Sequence, residues 1–356
     1  MIKNRLNQFK SIFDYTIVLT YSFFFVGTTL VENIQDHVEI INNLISSNLD
    51  SPPFFIESPT LLIAASYFKF SNIESFALFL FIFLLSMLFL IVLTSQFLGN
   101  FNYIFLFSGW IITVNWWVGY TDIILVFTTL GILRILIKNH HNPLILVFCI
   151  IGSFSHLPIH FFILLNILIL FIEKIDIRNI LYIVFGTLSG MLLNGFYLTS
   201  IGVNSSKRLE ILMSYDSLSN SLKSLANNNL IIFYSGFSSA FLIFICLIYF
   251  LYMQNKKLLF KIYFSILVSL LCSGLGLDSS RIFSLVIIPI VVWLIYNIET
   301  LRESKYYKQI LFASFLVVFL LGPVQVWEND VYFQSPFSDF YIFKFFIPQI
   351  WYLLGI

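Results

Sequence analysis

The sequence predicts an all-α polytopic membrane protein with about eleven transmembrane helices. Three observations carry that class. Of 356 residues, 59% are hydrophobic and only 10% charged, with a mean hydropathy of +0.93, which leaves too little polar surface for a large soluble domain. Apolar runs recur near 12–31, 75–95, 103–118, 121–137, 143–156, 157–172, 180–201, 230–252, 261–277, 282–298 and 309–326, on the scale of a hydrocarbon core that takes roughly 17–25 helical residues. Basic residues gather in alternate connections between these runs, as the positive-inside bias requires.

The run Ile12–Val31 is too long for a signal-peptide core and no small-x-small cleavage site follows it, so it reads as the first span. Residues 32–74 then form a first outer loop. It carries Glu32, Asp36, His37, Glu39, Asp50 and Glu57, with no basic residue between Lys10 and Lys69. Its Ser51–Pro59 stretch leads into an apolar segment, Thr60–Phe70, that is too short to span and predicts an interfacial helix. A single helix over 103–137 would be about 52 Å long at 1.5 Å per residue. The sequence Asn115-Trp116-Trp117-Val118-Gly119-Tyr120-Thr121-Asp122 breaks it in the middle, so two crossings fit better. For 143–172 the flanks decide: Arg134 and Lys138 precede it, Lys174 and Arg178 follow it, and placing both pairs on one side demands a turn near His156-Leu157-Pro158. Residues 202–229 form a second outer loop of mixed charge, read as a short helix or a mobile flap. A third outer segment is the tail 327–356, and the whole of 1–356 reads as one transmembrane domain.

This topology puts thirteen of the nineteen Lys and Arg residues on the cytoplasmic side and thirteen of the eighteen acids outside, with the N-terminus in and the C-terminus out. The Ile-, Asn-, Lys- and Phe-rich composition fits an AT-rich bacterial genome and hence an inner (plasma) membrane. A net charge of +1 lacks the basic excess that nucleic-acid binding needs. Cys149, Cys246 and Cys272 lie in apolar runs without metal spacing. The chain has no phosphate-binding Gly-x4-Gly-Lys-Ser/Thr loop, no His-Glu-x-x-His and no Gly-x-Ser-x-Gly. No charged residue falls near the middle of a span, which disfavours an ion-coupled transporter.

An acidic first outer loop with Asp36-His37, the Pro-containing stretch Ser51–Pro59, the turn Gly119-Tyr120-Thr121-Asp122 and the later turn His156-Leu157-Pro158 together resemble the GT-C superfamily of integral membrane glycosyltransferases. The resemblance covers roughly residues 12–200 and is architectural; where many members carry two adjacent acids, this chain has Asp36 followed by His37. It implies transfer of a sugar from a polyprenyl-phosphate donor to a glycan, lipid or protein acceptor, on the periplasmic or extracellular face among membrane lipids. No organic cofactor is implied, no metal ligands are assigned, and a divalent ion stays open.

Such a reaction needs a carboxylate within about 3 Å of the acceptor hydroxyl and donors for the charge on the leaving phosphate. Asp36 is the expected base, with Glu32 and Glu39 on the same helical face and His37 orienting the acceptor. Asp122 is read as a second catalytic acid or as an ordinary first-turn acid, and Trp117 and Tyr120 beside it as a platform for a sugar ring. Arg281, the only basic residue between Lys261 and Arg302, is the candidate phosphate ligand, or else the partner of Asp278 in a turn. His156 is read as a pyrophosphate ligand or as the cap of a broken helix. Asp36, Asp122 and Arg281 are expected to open into one cleft. The runners-up are an O-antigen or capsule polymerase and, in another class, a lipid or solute transporter.

Overall fold

The computed structural model describes residues 2–30, 34–43, 59–70, 72–138, 141–200, 215–254, 256–276, 278–298, 307–327 and 330–333. Among them the chain is helical apart from one two-stranded hairpin and isolated bridges. Helix α1, Ile2–Thr20, runs on as a wider turn to Val26. α2, Ile34–Asn43, and α3, Thr60–Tyr67, follow. α4, Ile73–Ser95, is capped by Asn72, whose Oδ1 accepts from the Ser75 amide at 2.8 Å. The short α5, Asn102–Leu106, and α6, Trp110–Trp116, lead to α7, Asp122–Ile137. α8, Leu144–Phe171, and α9, Ile177–Ser200, come next. Then follow α10, Tyr215–Asn227, α11, Asn229–Phe237, α12, Phe241–Gln254, and α13, Lys256–Ser273. The described chain closes with α14, Ser279–Val286, α15, Ile288–Asn297, α16, Tyr307–Leu321, and the antiparallel strands β1, Val324–Trp327, and β2, Asp330–Phe333.

Eleven full spans are not what the structure has. Among the described residues four helical segments are long and apolar enough to cross a membrane, Ile73–Gly99, Leu144–Lys174, Ile177–Ser200 and Asn229–Met253, or five if α14 and α15, bent by 43°, count as one. Most of the other apolar runs form helices too short or too charged for that test. The physical reason is that apolarity reports burial as readily as lipid contact: Ile111, Ile112, Val114, Leu125, Val126 and Leu130 are all buried in protein, where a short helix serves as well as a long one.

The expected turn in α7–α8 territory is present. Helical hydrogen bonding continues through α8, but His156 leaves helical geometry (φ −161°, ψ 85°) two residues before Pro158. A straight helix of 28 residues would hold its ends about 42 Å apart, yet beyond those two ends His141 Nδ1 and Asp176 Oδ2 approach to 2.5 Å. The two arms therefore fold back on each other. Gly152 in the first arm faces the His160 ring in the second, so closely that a Cβ there would sit 2.4 Å from the ring. α9 then runs parallel to the first arm: Gly186 lies on Leu146, Gly190 on Ile150, and Asn194 Nδ2 donates to the Phe154 carbonyl at 3.0 Å. A Cβ at Gly186 or Gly190 would come within 2.6 Å of a carbonyl oxygen, so the Gly-x-x-x-Gly spacing is what lets the backbones meet.

The first outer loop contains more structure than a loop. α2 buries His37, Val38, Ile40 and Ile41, and α3 buries Leu61, Leu62 and Ala65 while Ile63, Tyr67 and Phe68 face outward. Of the second outer loop the structure describes 215–227, which is helical, and of the tail it describes strand residues up to Phe333; residues 201–214 and 334–356 lie outside the described set. At the core sit α14 and α15, with Phe283 to Ile295 buried throughout.

Candidate functional site

The 117–121 turn is made possible by Gly119, whose φ of +121° suits glycine. It is pinned to the first helix's exit, because the Thr29 carbonyl accepts from the Val118 amide at 3.2 Å and Thr29 Oγ1 donates to the Trp116 carbonyl at 2.7 Å. The turn delivers Asp122 as the first residue of α7. Opposite it, the first turn of α14 presents Arg281. The two meet through a bidentate ion pair: Arg281 Nε donates to Asp122 Oδ2 at 2.6 Å and Nη2 donates to Oδ1 at 3.0 Å. Arg281 Nη1 donates to Asp278 Oδ2 at 2.8 Å. The Asp122 side chain is 1% exposed, that of Arg281 8% and that of Asp278 23%. The guanidinium carbon lies 4.2 Å from the Tyr120 ring centre and 5.6 Å from that of Trp117.

A second layer comes from the hairpin. Trp117 Nε1 donates to Gln325 Oε1 at 2.8 Å, and Gln325 Nε2 donates to Thr113 Oγ1 at 3.2 Å. Thr113 Oγ1 in turn lies 2.6 Å from Ser284 Oγ. Ser280 Oγ accepts from the Val326 amide at 2.8 Å. Strand β1 is thus fastened across α6, the 117–121 turn and α14, over the ion cluster.

Of the residues singled out in the sequence, Asp122, Arg281, Trp117 and Tyr120 come together. His156 lies at the same end, at the α8 bend: the adjacent Ser155 carbonyl accepts from Thr121 Oγ1 at 3.1 Å, and Ser155 Oγ is 2.9 Å from Thr60 Oγ1. His37 turns inward from the groove. Its residue is 2% exposed and its ring stacks on Phe76 with centres 6.0 Å apart, because the inward face of α2 packs on α4. Glu39 is exposed and borders an open groove with Gln35, Val38, Asn42, Asn72, Ile73 and Glu74. Asp36 lies on α2, but its side chain is outside the described residues, as is all of Glu32.

Asp122 is the acid in the first turn of α7, as one of its two readings had it, and both of its carboxylate oxygens accept from Arg281. The expected cleft shared by Asp36, Asp122 and Arg281 lies partly outside the described residues, since the Asp36 side chain is not among them. The groove at α2 shares no lining residue with the apolar seam at Leu61, Leu80, Phe83, Trp117 and Tyr120, and that seam encloses only about 10 Å³, room for roughly one water. Sequence reasoning missed Gln325, Thr113, Ser280 and Ser284; the one signal was Gln325 as the lone polar residue of the alternating Val324-Gln325-Val326-Trp327.

Chemically the cluster carries two carboxylates on one guanidinium. A guanidinium has five N–H donors, three are engaged by Asp122 and Asp278, and two remain on the terminal nitrogens. Among the described residues no three His, Cys, Asp or Glu side chains group as a metal centre would require. No protein family, curated protein or solved structure matches this chain.

Proposed function

We propose that this helical membrane protein is a glycosyltransferase that moves a sugar from a polyprenyl-phosphate donor to a hydroxyl acceptor at the end of the helices bearing Asp122 and Arg281. The observation that carries this reading is the Asp122–Arg281–Asp278 cluster walled by Tyr120 and Trp117. A guanidinium fixed by a buried carboxylate offers a planar donor edge to phosphate, and aromatic faces with nearby carboxylates suit the apolar faces and hydroxyls of a sugar. Arg281 takes the phosphate, Asp122 holds Arg281, and Asp36 on α2 supplies the proton-accepting carboxylate. The amide- and acid-lined groove at Glu39, Asn42, Asn72 and Glu74 receives the acceptor.

The test is sugar transfer in membranes supplied with labelled polyprenyl-phosphate sugar. Asp36→Asn should abolish turnover while leaving donor binding intact, and Arg281→Lys should weaken donor binding. Unchanged turnover in Asp36→Asn, or equal donor binding in Arg281→Lys, sinks the assignment; a transporter lacking a mid-membrane charge would be indifferent to the first change.

A further inference from the structure

Arg281 is held in two unlike ways. Its bond to Asp122 is bidentate and almost fully buried, whereas its bond to Asp278 uses one nitrogen, and the Asp278 side chain is 23% exposed against 1% for Asp122. Asp278 precedes α14 and makes no capping bond to it, so its carboxylate is committed to the guanidinium alone among the described contacts. The two N–H groups left on Arg281 are on the terminal nitrogens, one of which Asp278 already touches. An anion approaching from solvent therefore meets Asp278 first, at the place its own oxygens would take.

We propose that Asp278 is an internal stand-in for the donor's phosphate: it occupies the exchangeable edge of Arg281 in the resting protein and is displaced when the donor's phosphodiester, or the prenyl phosphate monoester left after transfer, binds. Asp122 is the positioning residue that keeps the guanidinium in plane during the exchange. This rests on the reading of Arg281 as a phosphate ligand. The exchange swaps one anion for another on the same donors, so Arg281 is never left buried without a partner. It also makes the site selective: a neutral isoprenoid alcohol has no charge with which to compete against Asp278.

Binding of farnesyl monophosphate to the full-length protein in nanodiscs, with farnesol as the uncharged control, tests the idea. Removing the internal competitor in Asp278→Asn should tighten farnesyl phosphate binding about tenfold, the scale of one partly exposed charge-assisted hydrogen bond, and leave farnesol unaffected. A folding defect would weaken binding, so a gain in affinity cannot come from damage. Arg281→Lys separates the two levels. If wild type binds farnesyl phosphate no better than Arg281→Lys, the phosphate-site reading fails and the stand-in with it. If Arg281 matters but Asp278→Asn binds equally or more weakly than wild type, the stand-in alone is overturned.

Discussion

The guanidinium of Arg281 is buried with two carboxylates 3 and 159 positions away in the chain. Pairs of this kind seldom add net stability, but removing one partner leaves a buried charge uncompensated, at a cost of about 3–5 kcal/mol. Asp122→Asn should therefore lower the melting temperature in detergent by several degrees. The double replacement Asp122→Leu with Arg281→Met should recover most of the loss, while abolishing donor binding. Equal melting of Asp122→Asn and wild type would show that the pair does not organise the fold. This much was half visible beforehand: Arg281 and Asp122 were each conspicuous as charges at the edge of apolar runs. Their pairing was not, because nothing local in a sequence says which of many helix ends share a corner of the bundle.

Among the elements, the folded-back α8 and its neighbour α9 make the clearest case. A Cβ at Gly190 would stand 2.6 Å from the Ile150 carbonyl and 2.7 Å from the Ser153 side chain. In a membrane, where close backbone approach and not water exclusion drives association, Gly190→Leu should separate α9 from α8 and lower the melting temperature; no change would mean that the helices meet elsewhere. Spin labels at His141 and Asp176 should report a short separation, against about 42 Å or more between the ends of a straight α8. The long distance would refute the reversal. The reversal was legible because flanking charges and Pro158 agree on it. The inward face of α2 was not: the sequence put Glu32, Asp36 and Glu39 on one helical face, but only packing on α4 reveals that His37, Val38, Ile40 and Ile41 are buried. The hairpin after α16 was only hinted at, by Gly322-Pro323 and the alternating Val324-Gln325-Val326-Trp327, because four residues are too short a strand for periodicity to separate from the end of an apolar run.

For the whole molecule, two groups of charged contacts stand apart. Lys174 Nζ donates to Tyr296 Oη at 2.6 Å and Lys261 Nζ to Glu173 Oε1 at 2.8 Å, beside the His141–Asp176 pair. The ion cluster lies at the opposite end of α7, whose 16 residues measure about 24 Å. In cells carrying a version without Cys149, Cys246 and Cys272, a membrane-impermeant thiol reagent should modify a cysteine placed at Asp330 but not one placed at Lys138. Equal labelling at both sites would remove the proposed orientation. Composition disclosed the membrane; it overstated the number of full crossings because interior and lipid-facing helices are equally greasy. The 159-residue interval between Asp122 and its guanidinium also sets a timetable. At about 5–20 residues per second of translation, roughly 8–30 s pass before the counter-ion is made. During that wait the Asp122 carboxylate is made without the guanidinium that pairs with it in the finished fold, so a product halted before Arg281 lacks the pair.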